Sequence, residues 1–516
     1  MVSLLDELNK YCDRHWLVGC DRRELVQLVE QFYLELIAES SQNKSLKIIL
    51  AESNPLRFLA GFIAACSANC SIFLCNPYWG EREWQQVFDL VQPDIIWGEV
   101  KSQKLKVKKQ KSEDTANHSL LRGSDGEETS PSTRFTTHSP LIMISTGGSS
   151  GKIRFAIHTW ETLTASVRGF QQYFQVSQIN SFCVLPLYHV SGLMQFMRSL
   201  TSEGKLAIIP FKSVESGVLP DIDPAEFFIS LVPTQLQRLL QTPNLIDWLA
   251  QFQTVLLGGA PAWQELLNQA RNYKIRLAPT YGMTETASQI ATLKPEDFLK
   301  GNNNCGRVLP HARVKIVDAN NRVLSKNEIG LISIQATSLT LGYYPELTAA
   351  SQEVSPCPPD RDRLGGAEGQ KELELDDLGF FDERGYLNIV GRNSQKIITG
   401  GENVYPCEVE AAIRATQLVD DIAVIGLFDR TWGEIVVAIY VSKYQSVSPV
   451  AIKTAIADSL SKFKIPKYWI SAQKLPRNAQ GKLNREQLHA IAILSQESGD
   501  RQLETARHPQ TPVINT

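Results

Sequence analysis

Within residues 4–39 the apolar positions Leu25, Leu28, Phe32 and Leu36 recur at helical spacing, and the apolar run 46–50 that follows predicts a buried strand. A helix opening after Asn54-Pro55, a strand over 72–74 and a short strand over 94–97 continue a βαβ rhythm, the pattern of a parallel sheet. The stretch 58–75 is uncharged and long enough to cross a bilayer, but Ser67, Asn69 and Ser71 interrupt it between a small-residue half and a strand-like half. It reads as a helix feeding a buried strand, not as a membrane span. Periodicity then vanishes over 101–139, where a lysine cluster gives way to Ser, Gly, Asp, Glu and Thr, the composition of a solvated or disordered insertion.

The pattern resumes with an apolar strand from 141, a second short strand over 154–158 and a helix over 161–174, with Thr159 as its cap and Glu161 near its positive end. Strands over 182–185, 205–210, 228–232, 254–257 and 276–278 follow, with a helix over 263–273 before the last. From 306 to 344 the alternation shortens, as in 314–317 and 330–334, and predicts a small β subdomain. Residues 352–374 have no period and read as a loop or insertion, a hairpin spans 376–392, and a compact α+β unit then runs to about 488 before a polar tail.

A chain of 516 residues buries more than one core, with two or three domains expected. The formal net charge of -3 supplies no global basic field, so a protein whose main partner is nucleic acid is not expected. Nine cysteines form no paired CxxC array and predict packing roles in a reducing compartment. Asp6 and Glu7 stand where a secretion signal needs Lys or Arg, so the expected location is cytoplasmic. No oligomeric state follows from the pattern.

Candidate chemistry collects where strands end. The apolar run from 141 closes in Thr146-Gly147-Gly148-Ser149-Ser150-Gly151 with Lys152 and Arg154 beyond, a composition that wraps phosphate oxygens in backbone N–H and hydroxyl groups. The nucleotide-hydrolase pattern GxxxxGK[ST] fails twice, at Thr146 and at Ile153, and the second strand makes the loop a hairpin tip rather than a strand-to-helix turn. Alone, such a loop is as readily a flexible surface turn. His189 and Ser191 follow a strand in PLYHVSG, where α/β sheets place ligands, although a core histidine fits as well. Gly258-Gly259-Ala260-Pro261 offers bare backbone to a flat ligand, and YGMTET concentrates Tyr281, Gly282, Thr284 and Glu285 at a strand end. Glu285 suits Mg²⁺, which takes few protein carboxylates beside water and phosphate. Asp377 suits a ribose diol and Arg392 an anion, while Lys482, after Gly481, sits on a turn that would by itself merely solvate it.

With the glycine-rich loop, PLYHVSG, LLGGAP, YGMTET, the Asp377/Arg392 pair, GGENVYP and Gly481-Lys482 in this order, the chain resembles the adenylate-forming acyl-CoA synthetase superfamily over nearly its whole length. The resemblance implies an α/β fold. A large N-terminal domain over 1–392, of α/β subdomains plus a small β subdomain, is followed by a small mobile α+β C-terminal domain over 393–490 and a disordered tail over 491–516. It implies an acid–thiol ligase with Mg²⁺ as cofactor and ATP and CoA as co-substrates. Thr146, Gly147, Gly148, Ser149, Ser150 and Gly151 would hold the β- and γ-phosphates with Lys152 and Arg154. Thr284 and Glu285 would hold phosphate and metal, Gly258, Gly259, Ala260, Pro261, Tyr281 and Gly282 would enclose adenine, and Asp377 and Arg392 would bind ribose. Lys482 resembles the adenylation lysine, Gly400, Gly401 and Glu402 lie where the family meets CoA, and His189 borders the acyl pocket.

Within the superfamily, SLVPTQLQRLL, PLYHVSGL and YGMTETASQ are most similar to o-succinylbenzoate-CoA ligases of menaquinone and phylloquinone synthesis. Such a substrate keeps a ring carboxylate and a ketone, for which Arg238, Ser191, Ser288 and Gln289 are candidates, each with a purely structural role as the alternative. The same chemistry on another aryl or fatty acid, and a non-catalytic nucleotide-binding homologue, are the alternatives to this function. Three departures from the family pattern bear on them: Ile153-Arg154 replaces Pro-Lys, Leu375-Asp376-Asp377 replaces Thr-Gly-Asp, and Ser394 occupies the hinge position where Asp or Lys is usual.

Overall fold

The structure, a computed structural model, describes residues 16–39, 45–100, 140–147, 153–346, 363–364, 372–400, 402–444, 447–477 and 483–507. The two insertions expected at 101–139 and 352–374 lie largely outside these residues, as does the tail from 508.

Two sheets form the body of the N-terminal part. The first has six strands, in the order Tyr343–Tyr344, Ile153–Thr159, Leu141–Gly147, Ser71–Leu74, Lys47–Ala51 and Ile95–Gly98. Its last four are parallel, and the apolar runs read from the sequence are their fully buried central residues. The membrane question resolves here. Residues 58–75 divide into the helix Pro55–Ser67 and the strand Ser71–Leu74, and no helix among the described residues is long and apolar enough to cross a membrane. Asn54 starts that helix by accepting from the N–H groups of Leu56 and Arg57, with Pro55 in the first turn, where no N–H is needed.

The second sheet has eight strands: Leu17–Val18, Leu206–Ile208, Asn180–Cys183, Phe227–Leu231, Thr254–Leu257, Leu277–Met283, Ser288–Thr292 and Arg307–Val308. The first six run parallel and the last two return antiparallel. Two readings are revised. The helix expected within 4–39 occupies Arg22–Glu39, and Leu17–Val18 before it is an edge strand paired with Leu206 and Ala207. The strand expected over 276–278 continues to Met283, because pairing with Ser288–Thr292 carries it past the parallel sheet.

The β subdomain is a five-stranded antiparallel sheet built on Ala312–Val317, Gly330–Ala336 and Glu372–Phe381, with Leu387–Arg392 paired to the last. Glu372–Phe381 therefore begins inside the segment read as loop, its alternation hidden by Glu372, Glu374 and Asp376 on its polar side. Past Arg392, a separate five-stranded sheet centred on Gly433–Ser442 packs against Pro406–Ala415 and Pro449–Ile456 around its own core of Val409, Ile413, Val436 and Tyr440. The α/β architecture, with an α+β unit at its C-terminal end, is the one expected.

Candidate active site

The glycine-rich loop joins the antiparallel strands Leu141–Gly147 and Ile153–Thr159, in register Thr146 to Arg154 and Gly147 to Ile153. It is a hairpin tip. Gly148, Ser149, Ser150, Gly151 and Lys152 themselves lie outside the described residues. Arg154 stacks its guanidinium 4.9 Å from the centre of the Tyr343 ring.

Beside the hairpin, the chain turns sharply between Leu277–Met283 and Ser288–Thr292, with Ala287 at φ 51° and Ser288 at φ 91°. Left-handed backbone at two non-glycine residues is strained, and it is held from several sides. The Thr284 carbonyl accepts from His158 Nε2 at 2.8 Å, and that of Glu285 from the Thr340 N–H at 2.8 Å. The Thr286 carbonyl accepts from Ser338 Oγ at 2.9 Å, and that of Ala287 from Ser166 Oγ at 2.7 Å. Burial lowers the His158 pKa to about 4, so the ring stays neutral while it donates to Thr284. The Glu285 carboxylate accepts from the Tyr343 phenol at 2.7 Å.

On the other side of the turn, Asp377 and Arg392 face each other across their hairpin with Arg392 Nε 3.2 Å from Asp377 Oδ1. Tyr281 donates its phenol to Asp377 Oδ2 at 2.6 Å, and burial, reinforced by that carboxylate, pushes the tyrosine pKa well up. Leu375 points into the core, which puts Asp377 in this cluster. Asp376 instead accepts from both the N–H and the hydroxyl of Ser394. Gly258 follows the strand Thr254–Leu257, where a Cβ would lie 2.6 Å from Thr280 Oγ1; Gly259 has φ 82°, and Ala260 and Pro261 are exposed beyond it. At Gly282 a Cβ would stand 2.1 Å from the Ser288 carbonyl.

His189 begins the helix Val190–Thr201, its ring 4.7 Å from that of Tyr188, and Ser191 is exposed in the first turn. Ser288 and Gln289 are brought together by an arginine that the sequence reading missed. Arg198 lies 4.4 Å from the centre of the Phe170 ring and donates to Ser288 Oγ at 3.1 Å and Gln289 Oε1 at 3.0 Å. It is 3% exposed, burial lowers its pKa to about 10, and its Nε has no partner among the described residues. Arg238, the expected cation, is engaged elsewhere, in a two-pronged ion pair with Glu215 and a stack on Phe211. In the C-terminal unit, Gly400 has φ 59° and packs under Trp432, and Glu402 is exposed. Gly401 and Lys482 lie outside the described residues.

No group of three or more His, Cys, Asp or Glu side chains among the described residues forms a metal cage. Glu285, beside the glycine-rich hairpin, offers a single carboxylate, and that donor fits Mg²⁺, which completes its shell with phosphate and water oxygens.

Residues 10–344 match the family described as AMP-binding enzyme, and residues 408–482 match the AMP-binding enzyme C-terminal domain. The chain belongs to the AMP-binding enzyme family. Among its relatives, the 2-succinylbenzoate--CoA ligase of Oceanobacillus iheyensis is 34% identical over 59% of this chain and 60% of its own length. The chain thus spans less than two thirds of that relative, whereas the protein of the same name from Geobacillus sp. is 32% identical over 69% of each. Among solved structures, o-succinylbenzoate CoA synthetase from Bacillus subtilis in complex with the acyl-adenylate intermediate OSB-AMP has a TM-score of 0.73 and 24% identity, covering 94% of this chain and 97% of that one. ATP-bound MatB from Rhodopseudomonas palustris also gives 0.73, at 22% identity over 95% and 98%. These likenesses establish the fold.

Within the AMP-binding fold, then, the residues not anticipated are Arg198, His158, Ser338, Thr340 and Tyr343. Arg198 had a signal, as the one charge in the otherwise uncharged helix Val190–Thr201. The others had none, since each meets the turn at 284–287 from a distant part of the chain.

Proposed function

We propose that the protein is an ATP-dependent acid–CoA ligase that converts o-succinylbenzoate to o-succinylbenzoyl-CoA for menaquinone or phylloquinone synthesis. The observation that carries the substrate is the buried Arg198 guanidinium held against Ser288 and Gln289 with one nitrogen unpartnered, in a chain whose relatives bear the name 2-succinylbenzoate--CoA ligase. A buried cation short of a hydrogen bond is matched by a carboxylate, and o-succinylbenzoate keeps one on its ring after the succinyl carboxylate reacts.

In the first half-reaction a succinyl carboxylate oxygen attacks the α-phosphorus of ATP, the bond to the bridging oxygen breaks, and pyrophosphate leaves. Thr146 and residues 147–151, with Lys152 and Arg154, hold the β- and γ-phosphates, Thr284 binds phosphate, and Glu285 would carry Mg²⁺. The ion supplies charge neutralisation on the leaving group when bound. Residues 258–261 with Tyr281 and Gly282 enclose adenine, Asp377 and Arg392 hold the ribose, and Lys482 opposes the charge that develops between carboxylate and phosphorus. In the second half-reaction the CoA thiolate attacks the acyl carbon and AMP departs with the acyl C–O electron pair. Gly400, Gly401 and Glu402 line the CoA approach once the domain over 393–490 has turned about Ser394, and His189 borders the acyl pocket. ATP and CoA are cytoplasmic co-substrates, and every cysteine among the described residues is a free thiol, which supports a cytoplasmic location.

The test is pyrophosphate release by purified protein with ATP, Mg²⁺ and o-succinylbenzoate, beside benzoate, a medium-chain fatty acid and no acid, each with and without CoA. Selective release with o-succinylbenzoate and a CoA thioester product is expected. Turnover on another acid rejects the substrate, and silence on all of them rejects the activity.

A further inference from the structure

The strand Ile153–Thr159 presents Arg154, Ala156 and His158 on one face, since alternate side chains of a strand share a side. Both polar members of that face reach the turn at 284–287. His158 bonds the Thr284 carbonyl directly, whereas Arg154 reaches Glu285 through an intermediary. That intermediary is Tyr343, which belongs to the edge strand Tyr343–Tyr344 and pairs with Ala156, between Arg154 and His158. Its ring is 8% exposed under the Arg154 guanidinium, and its phenol donates to Glu285 Oε1 at 2.7 Å. The Thr340 N–H, three residues earlier on the same segment, holds the Glu285 carbonyl.

We infer that Tyr343 is a positioning residue for the metal-binding carboxylate: it fixes the Glu285 side chain before Mg·ATP arrives and couples it, through Arg154, to the phosphate-binding hairpin. The inference rests on the ligase reading above. Three physical points support it. A glutamate has three rotatable bonds, and immobilising it ahead of binding removes that entropy from the binding step. A phenol hydrogen bond to a carboxylate oxygen is among the stronger ones available, and this one occupies Oε1, leaving Oε2 for a cation. The guanidinium over the ring face holds the phenol in line, and with Arg154 in place of the family's lysine a planar, five-donor cation covers that face while its N–H groups stay free to point elsewhere.

The experiment is isothermal titration of the full-length protein with ATP, once with Mg²⁺ and once with EDTA, on wild type, Tyr343→Phe, Glu285→Ala and the double variant. Phenylalanine keeps the ring and the stack and removes only the phenol. Tyr343→Phe is expected to weaken Mg·ATP binding about tenfold while leaving metal-free ATP within about twofold. In the Glu285→Ala background the same change is expected to do nothing more, which a general loss of packing would not reproduce. Equal weakening in both titrations, no weakening, tighter Mg·ATP binding, or full additivity of the two substitutions each overturns the inference while leaving the ligase reading intact. A wild-type protein that binds ATP equally with and without Mg²⁺ overturns it too, and one that binds no ATP at all overturns the ligase reading with it.

Discussion

Arg198 shows how one buried side chain gathers residues distant in the chain. Its guanidinium is taken from water by helix packing and returned three contacts, Ser288, Gln289 and the Phe170 face. If a ring carboxylate completes the set with a charge-assisted bond, as proposed, Arg198→Lys, which loses the planar fork, is expected to raise the o-succinylbenzoate KM by about 30-fold or more with the ATP KM within about twofold. Steady-state pyrophosphate release checks both constants. Sequence reasoning singled out Ser288, Gln289 and Arg238, and the structure brings the first two to Arg198 and the third to Glu215. The motif containing Arg238 was visible, but only packing reveals that Glu215 already neutralises that cation. His158 acts at this scale too. In the unfolded chain it takes up a proton below pH 6.5, whereas the folded protein resists until about pH 4. Its contribution is therefore complete above pH 6.5 and is lost as the pH falls through the window to about 4, by about 3 kcal/mol at most. Urea unfolding across that range is expected to have a shallower pH slope in His158→Asn than in the wild type.

At the scale of elements, the sequence is most informative where local chemistry starts or stops a segment. Asn54 and Thr159 cap their helices as their positions suggested, each accepting from backbone N–H groups of the first turn. Asn54→Ala is expected to cost about 1 kcal/mol in unfolding free energy without touching KM values. The turn at 284–287 is the opposite case. Its residues were recognised as chemistry-bearing, yet nothing local accounts for left-handed Ala287 and Ser288; a helix, a strand and a loop supply the bonds that hold them. Ser338→Ala removes one of those bonds from the buried Thr286 carbonyl and is expected to lower kcat for adenylation about tenfold, with a loss of about 1–2 kcal/mol in stability read by denaturant unfolding. Glu372–Phe381 was partly missed for a related reason. Carboxylates on alternate positions look like loop composition until the strand's apolar face, Leu373 and Leu375, is seen packed in the β subdomain.

For the whole molecule, the division of labour between the two parts of the chain is the central expectation. The Asp376–Ser394 contact links the last strands of the β subdomain to the start of the C-terminal unit, so turning about Ser394 requires that contact to be remade. If residues 393–490 alternate between two docked positions, the two half-reactions separate genetically. Lys482→Ala is expected to reduce pyrophosphate release by three orders of magnitude or so while conversion of supplied acyl-adenylate to the CoA thioester stays within about threefold of wild type. Equal loss in both half-reactions contradicts that division.

The amino-acid sequence by itself determined the elements and the order of the chemical motifs, because helix periodicity, buried apolar runs, caps and glycine-rich turns are set by interactions within a few residues. It placed Asp377 opposite Arg392, because a hairpin pairs near neighbours. Tertiary structure decided which cation faces Ser288 and Gln289, what fixes the turn around Glu285, and how Tyr343 lies between Glu285 and Arg154 of the glycine-rich hairpin. Those contacts link residues 52 to 189 positions apart, and side chains so distant meet only after sheets and helices have packed, by a geometry that no local pattern encodes.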